Sequence, residues 1–200
     1  GPLYSKYYEQ LLEKVENGAV LYVSNADAFF NLRETVFGSA VISSEDTYSS
    51  GTFDFNGDTV RYERYCRTVL GPTTAEVLAR DDCGDPIFTV NRYGKGRVYY
   101  LNFPLEDMLC RGNRVFEGNA YKLYESVLKE VLEKKTVRKL HPKVAVTENG
   151  NIATVINYSN EPVKTGLYLQ NGKRIGRIFR GNPELLDPCD GAVFEIADNS

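Results

Sequence analysis

The sequence predicts an α/β protein in which an open sheet carries helices on its faces and is followed by a small antiparallel β-sandwich. Three observations carry this prediction. The first 43 residues alternate amphipathic helices with apolar strands, a pattern typical of an open α/β sheet. Short strands and turns replace that alternation over 44–103, and beyond residue 142 strands and turns are the only pattern. We therefore expect two domains, over 1–137 and 138–200.

The opening segment supplies the helices and the first strand of the predicted sheet. Apolar residues recur at helical spacing over 3–17, and Gly18 suits the end of that helix. The run 19–23 is continuously apolar, as expected for a strand buried on both faces. Polar residues that can cap a helix follow it, so we expect a second helix over 27–37.

The middle segment is richer in strands. Residues 44–51 are polar and are expected to form a loop, whereas Asn56-Gly57 lies between two strand-like runs and predicts a hairpin. Apolar residues at a 3.6-residue repeat predict a long helix over 116–134. Three further strands are expected, over 74–80, 87–91 and 96–103.

In the final segment, residues 136–142 are predicted to form a linker, and strands follow it. Turns at Asn149-Gly150 and Asn171-Gly172 are strong hairpin signals. The sequence Asn157-Tyr158-Ser159 matches a glycosylation sequon, but we expect it to lie in a strand. The five predicted strands cover 143–147, 151–157, 163–169, 174–179 and 192–196.

Composition narrows the classes of function. The 200 residues hold 24 Lys and Arg against 27 Asp and Glu, and a net charge of −3 argues against a nucleic-acid partner. No apolar run is long enough to span a membrane, so no membrane partner is expected. No signal peptide is visible, but Gly1-Pro2 resembles a protease scar, so the compartment is not predicted.

Metal and cofactor chemistry is not indicated either. A single histidine, His141, excludes a His-rich metal site, and no pair of the four cysteines is spaced as C-x-x-C. We expect free cysteines, no metal and no cofactor. Gly94-Lys95-Gly96 resembles part of a phosphate-binding loop, but strands flank it, so a hairpin turn is the simpler interpretation.

Two sets of residues are candidates for contact with a sugar. Carboxylates near predicted strand ends could hydrolyse a glycosidic bond, although such residues are usually caps or solvated groups; they are Asp27, Glu106 and Asp107. Aromatic side chains of the strand-rich segment could contact a sugar or a second subunit, or could pack in a core. These aromatic candidates are Tyr48, Phe53, Phe55 and Tyr62, with Tyr65 beside them. The absence of Trp weakens the sugar-binding interpretation.

One stretch resembles a known family. It comprises residues 75–80 (AEVLAR), 84–88 (GDPIF) and 91–100 (NRYGKGRVYY), and the opening 18–24 is similar too. This pattern resembles the amidotransferase-like domain of bacterial glycoside hydrolases, of which the family 42 β-galactosidases are the best-known case. In those enzymes the domain is called the trimerisation domain. The resemblance implies a degenerate class I amidotransferase-like domain with a flavodoxin-like sheet, followed by the β-sandwich.

The resemblance also implies a function. Catalytic glutamates in such enzymes lie in an upstream barrel, and a barrel needs about 250 residues, more than this chain has. No catalytic residue can be carried over. We expect a non-catalytic accessory region that supports the barrel of the same polypeptide and takes part in a homotrimer. Two alternatives remain open: a carbohydrate-binding module, and an autonomous hydrolase with an unrecognised carboxylate site.

Overall fold

The computed structural model describes residues 2–25, 34–111 and 118–199. The chain divides into two compact units, Gly1–Val127 and Leu128–Ser200. The division falls inside the last helix, before the boundary expected at residue 137. The backbone N–H groups of Thr136 and Val137 donate to the Glu148 carboxylate at 3.2 and 2.8 Å. The predicted linker is therefore held within the second unit.

The first unit mixes helices with strands, and its last helix runs across the division between the units. Its helices are α1 (Pro2–Glu16), α2 (Glu34–Phe37), α3 (Leu105–Cys110) and α4 (Tyr121–Glu133). Its strands are β1 (Val20–Ser24), β2 (Ser39–Glu45), β3 (Ser49–Phe55), β4 (Asp58–Arg64), β5 (Arg67–Pro72), β6 (Glu76–Arg80), β7 (Pro86–Tyr93) and β8 (Gly96–Leu101).

The sheet of this unit corrects the predicted fold class. Four strands pair in the order β1-β8-β7-β6, and only β1 and β8 run parallel. Two separate antiparallel pairs, β2–β5 and β3–β4, accompany that sheet. An open flavodoxin-like parallel sheet is therefore not confirmed. Parallel neighbours need a crossover connection, whereas β6, β7 and β8 are joined by short turns that favour antiparallel pairing.

Alternation along β8 divides the core of the first unit into two layers. Tyr99 and Leu101 belong to a cluster with the β3–β4 pair and α4, whereas Val98 and Tyr100 belong to a cluster with α1 and α2. Strand β8 is therefore covered on both faces, which explains why its residues 98–101 are all apolar. The first cluster is the larger, and its aromatic members include Phe53, Phe55, Tyr62, Phe88 and Phe103.

Local predictions in this unit have mixed outcomes. The Asn56-Gly57 turn is confirmed, with φ of 52° and 84°, and it joins β3 to β4. The loop expected over 44–51 is confirmed only for residues 46–48, because β2 continues to Glu45 and β3 begins at Ser49. Residues 27–33 of the predicted second helix and 116–117 of the predicted long helix lie outside the described residues.

The second unit is built of antiparallel strands, as predicted. A four-stranded sheet in the order β10-β11-β16-β14 is accompanied by the pairs β12–β15 and β13–β9. Gly166, at φ 60°, separates β12 from β13 within the single strand expected over 163–169. The bounds are β9 (Val137–Arg138), β10 (Val144–Asn149), β11 (Ile152–Asn157), β12 (Val163–Lys164), β13 (Tyr168–Leu169), β14 (Lys173–Arg180), β15 (Leu185–Leu186) and β16 (Gly191–Asp198).

The core of the second unit lies on one face of the four-stranded sheet. Ala153 and Val155 of β11 and Phe194 of β16 are fully buried there. The two short strand pairs contribute Val137, Val163 and Leu186 to the same cluster. Among the described residues, no helix has both the length and the apolar character to cross a membrane.

Candidate functional site

The only parallel strand pair among the described residues ends at an edge where polar and aromatic side chains gather. Register places Ser24 of β1 opposite Leu101 of β8, and the N–H of Asn25 donates to the Leu101 carbonyl at 2.8 Å. Ligand sites of α/β proteins lie beyond the carboxyl ends of parallel strands. Helix α3 begins there, and we call the residues gathered around it the α3 surface: Ser24, Tyr48, Tyr65, Glu106, Asp107, Arg111 and Tyr124.

Glu106 is held by hydroxyl groups at one end of this surface. Its two carboxylate oxygens accept hydrogen bonds from the Ser24 hydroxyl and, at 2.8 Å, from the Tyr124 hydroxyl. The Tyr22 ring packs edge-on against Tyr124 with centroids 5.5 Å apart. Burial, and then the charge of Glu106, raise the pKa of Tyr22 far above its ordinary value. Burial and the hydrogen bond to Glu106 likewise raise the pKa of Tyr124, so both phenols stay protonated.

Arg111 organises the other end of the α3 surface. It forms an ion pair with Asp107 at 2.5 Å, and its guanidinium lies 4.7 Å from the centroid of the Tyr65 ring. The ring of Tyr48 lies 5.4 Å from that of Tyr65, and 54% of Tyr48 and 44% of Tyr65 remain exposed. An exposed aromatic pair beside an arginine offers both apolar contact area and hydrogen-bond donors to a ligand or a protein partner.

Three of the four predicted contact residues lie elsewhere. Phe53, Phe55 and Tyr62 are 4%, 4% and 1% exposed and belong to the core of the first unit. Of the two possibilities given for these three residues, the structure shows packing in a core, and their burial excludes direct contact with a sugar or a second subunit. Alternate positions of β3 and β4 face the four-stranded sheet, and these rings fill that space. Of the aromatic candidates, Tyr48 and the neighbouring Tyr65 are accessible.

Two of the three carboxylate candidates lie on the α3 surface, but the sequence did not indicate the residues that bind them. Asp27 lies outside the described residues. Glu106 and Asp107 are adjacent on α3, where Glu106 accepts a hydrogen bond from Tyr124 and Asp107 pairs with Arg111. No sequence motif marks their partners Ser24, Tyr124 and Arg111. Ser24 could have been noticed as the polar residue that ends an apolar strand, but nothing local links it to residues 106 or 124.

A second acidic cluster lies in the turn between β6 and β7. Carboxylate and thiol groups of Asp81, Asp82 and Cys83 lie within 4.8 Å of one another. Asp81 is buried, pairs with Arg64 at 2.8 Å and accepts the N–H groups of Cys83 and Asp85. Asp82 accepts the Tyr62 hydroxyl at 2.7 Å. Both Asp81 oxygens and one Asp82 oxygen are therefore bound by the protein's own donors, which hold the turn between β6 and β7.

The glycine motif Gly94-Lys95-Gly96 forms a hairpin turn. The Lys95 N–H donates to the Glu16 carbonyl at 2.9 Å, so it is not directed at an anion. A Cβ on Gly96 would lie 2.2 Å from the Ala19 carbonyl oxygen, which explains the glycine by close packing against the chain after α1. The hairpin interpretation is confirmed.

The predicted sequon is also structural. Asn157 is buried, and its side-chain amide donates to the carbonyls of Glu161 and Asp187 at 2.8 and 2.9 Å. Its carbonyl oxygen accepts the N–H and hydroxyl of Ser159, both at 2.8 Å. A glycan on this amide would break the folded unit.

The cysteines and the histidine are not brought together as a catalytic pair. All four cysteines are free, as predicted; Cys66 is buried and Cys83, Cys110 and Cys189 are exposed. His141 lies in the second unit, where its Nδ1 accepts the Lys143 N–H at 3.2 Å. Partial burial, followed by Lys143 and Lys139, lowers the pKa of His141, so the neutral imidazole that accepts this bond is favoured.

The chain combines a mixed α/β unit with an antiparallel β unit, and its described acidic clusters are bound by the protein's own donors. No protein-family model matches the chain. It is 32% identical over 154 residues to the β-galactosidase BgaA of Clostridium cellulovorans, covering 72% of this chain and 21% of that protein.

Solved structures show the same fold in longer chains. Gan42B, a GH42 β-galactosidase, matches 96% of this chain with a TM-score of 0.60 and 20% identity. A β-galactosidase from Bacillus circulans sp. alkalophilus matches 94% with a TM-score of 0.60 and 17% identity. An exo-β-1,4-mannosidase from Opitutaceae bacterium strain TAV5 matches 60% with a TM-score of 0.51 and 17% identity.

This chain spans 30% of each of the two β-galactosidase structures and 21% of the curated relative. The resemblance drawn from the sequence is confirmed: the chain is similar to a part of the family 42 β-galactosidases.

Proposed function

We propose that this chain is the non-catalytic C-terminal region of a glycoside hydrolase, that it supports a catalytic barrel upstream in the same polypeptide, and that it contributes to a homotrimer. The observation that carries the proposal is the pattern of coverage. Nearly the whole chain is matched by a region that makes up 30% of two solved β-galactosidases, one of them of family GH42. Because this region recurs as a whole in longer chains, we expect it to support the rest of those chains.

The chemistry of the described carboxylates supports a non-catalytic role. A retaining glycosidase needs two carboxyl groups about 5 Å apart, one of them free to attack and the other able to hold a proton. Asp81 and Asp82 are close enough, but Arg64 and Tyr62 bind them. Glu106 has both oxygens bound by hydroxyl groups. Each of these three carboxylates is bound by other residues of its own unit.

Activity measurements on the chain and on its full reading frame test the proposal. We expect the purified 200-residue chain to leave nitrophenyl β-galactoside unhydrolysed, and the protein from the complete reading frame to hydrolyse it. Deleting from that longer protein the segment that corresponds to this 200-residue chain should lower the thermal midpoint and the activity of what remains. Turnover by the chain alone that is lost in Glu106→Gln would overturn the non-catalytic assignment in favour of an autonomous hydrolase.

Light scattering after size exclusion tests the assembly. A mass near three times 22.5 kDa, over a range of concentrations, would support a trimer. A monomer of the chain together with a trimer of the longer protein would place the assembly contacts outside this region. A monomer in both cases would remove the homotrimer from the proposal.

A carbohydrate-binding role is the second candidate, and the exposed Tyr48–Tyr65 pair favours it. Tyrosine rings present flat apolar faces on which the C–H groups of a sugar can stack, and Arg111 and Asp107 supply hydrogen bonds beside them. Binding of β-galactan or a galacto-oligosaccharide in calorimetry, abolished by Tyr48→Ala, would support it. Tyr158→Ala, an exposed tyrosine of the other unit, is the control.

A further inference from the structure

A basic groove in the first unit lies apart from the α3 surface. It has a volume of about 520 Å³ and opens beside strands β6, β7 and β8. Its apolar part is formed by Leu78, Val90 and Tyr99, at the margin of the main core. Polar and charged residues complete the lining: Thr74, Glu76, Asn91, Arg92, Lys95, Arg97 and Ser126, with the backbone of Gly96.

The strand register concentrates positive charge on this groove. Arg92 of β7 lies directly opposite Arg97 of β8, and Lys95 occupies the turn that joins the two strands. Like charges directly opposite one another in an antiparallel pair are destabilising. Among the described residues, the side chains of Arg92 and Lys95 have no acidic partner, and all three cations are exposed. Three exposed cations that line one cavity, two of them without an acidic partner, indicate a binding site for an anion.

The remaining lining restricts the class of ligand. Leu78 and Val90 are partly buried, so they offer an apolar floor rather than a fully wetted surface. Glu76 and the Ser126 hydroxyl can bind hydroxyl groups, and the Thr74 hydroxyl, which donates to Asn91 Oδ1, can accept one. The volume lies within the range of small-molecule sites, roughly 300–1,000 Å³. A bare inorganic ion would use the cations and leave the floor and the hydroxyl groups unused.

We propose that this groove binds an anionic sugar of one or two rings, with the ring over Leu78 and Val90 and its carboxylate or phosphate bound by Arg92 and Lys95. Uronic acids and sugar phosphates share this chemistry. Here the glycines of the Gly94-Lys95-Gly96 motif serve packing, and its lysine side chain serves binding. The site does not depend on the support and assembly role proposed above.

Nuclear magnetic resonance of the ¹⁵N-labelled chain tests the site directly. Titration with galacturonate and with galactose 6-phosphate should move the amide signals of residues 90–97 saturably with at least one of the two, and comparison of the two identifies the preferred anion. Neutral galactose and inorganic phosphate should bind at least tenfold more weakly than that sugar. Raising the salt concentration should weaken binding, because exposed charges are screened.

Variants separate the groove from general electrostatics. The double change Arg92→Gln with Lys95→Gln should weaken binding at least tenfold and leave the dispersion of other signals unchanged. Arg61→Gln, which removes an exposed positive charge from β4, is the control and should bind as the parent chain does. The proposal is overturned if neither anion moves these signals, if phosphate alone binds as tightly as the sugar, or if the control loses affinity equally.

Discussion

Arg64 and Asp81 form a buried ion pair that joins two separate sheets of the first unit. The Arg64 Nη2 donates to Asp81 Oδ2 at 2.8 Å, and the side chains are 2% and 0% exposed. Arg64 ends β4, whereas Asp81 directly follows β6 of the four-stranded sheet. The Arg64 Nε also donates to the Ser49 hydroxyl at 2.9 Å, so three segments meet at this one guanidinium.

Removing Arg64 should destabilise the first unit strongly. Arg64→Met leaves the Asp81 carboxylate buried without its cation, and breaking such a pair costs about 3–5 kcal/mol. Hydrogen exchange of peptides from β3, β4 and β6 would measure the loss. Arg61→Met is the matched control, because its pair with Glu63 is exposed and worth less than about 1 kcal/mol. Similar protection in both variants would contradict the structural role of the pair.

Replacing Phe53 should unfold rather than dissociate the protein. Its ring packs against Phe103 with centroids 5.9 Å apart, and truncating a buried Phe to Ala costs about 3–5 kcal/mol. Tyr48→Ala removes an aromatic ring from the same segment at an exposed position and should cost less than about 1 kcal/mol. Urea unfolding followed by circular dichroism compares the two. A Phe53→Ala chain with parental stability and altered mass would restore an interface role for Phe53.

Asn157 should be indispensable to the second unit. Asn157→Ala removes four hydrogen bonds and leaves the buried Ser159 N–H without its acceptor, and we expect a loss of about 2 kcal/mol. Asn149→Ala, at an exposed position of β10, should change the stability by less than about 0.5 kcal/mol. Thermal unfolding of both variants measures the difference. Equal midpoints would show that the Asn157 network contributes little.

Tyr22 should make the first unit sensitive to alkali. The pKa of its phenol is raised above 10.0 by burial and by Glu106, so the folded chain keeps the proton that the unfolded chain releases above pH 10. Stability is therefore unaffected below pH 10 and falls as the pH rises above it. Tyr22→Phe should move the alkaline unfolding midpoint to higher pH. Tyr7→Phe, at an exposed position, should leave it unchanged; equal midpoints in all three chains would contradict the prediction.

Local features of the fold could be predicted because neighbouring residues decide them. Asn56-Gly57 adopts the left-handed conformation that joins β3 to β4, and the apolar run 98–101 lies in a strand covered on both faces. The polar stretch 44–51 misled the prediction. Parts of this stretch belong to β2 and β3, which pair outside the four-stranded sheet and have exposed positions that tolerate Ser and Glu.

By itself the sequence determined two units, the second built of antiparallel strands, and a resemblance to a part of family 42 β-galactosidases. The tertiary structure decided which aromatic rings are accessible: Phe53 and Tyr62 face the core, whereas Tyr48 faces solvent. It also brought Ser24 to Glu106, 82 positions away, and Arg92 opposite Arg97. Periodicity and turn chemistry act over a few residues, whereas strand pairing and direction determine which distant side chains share a surface.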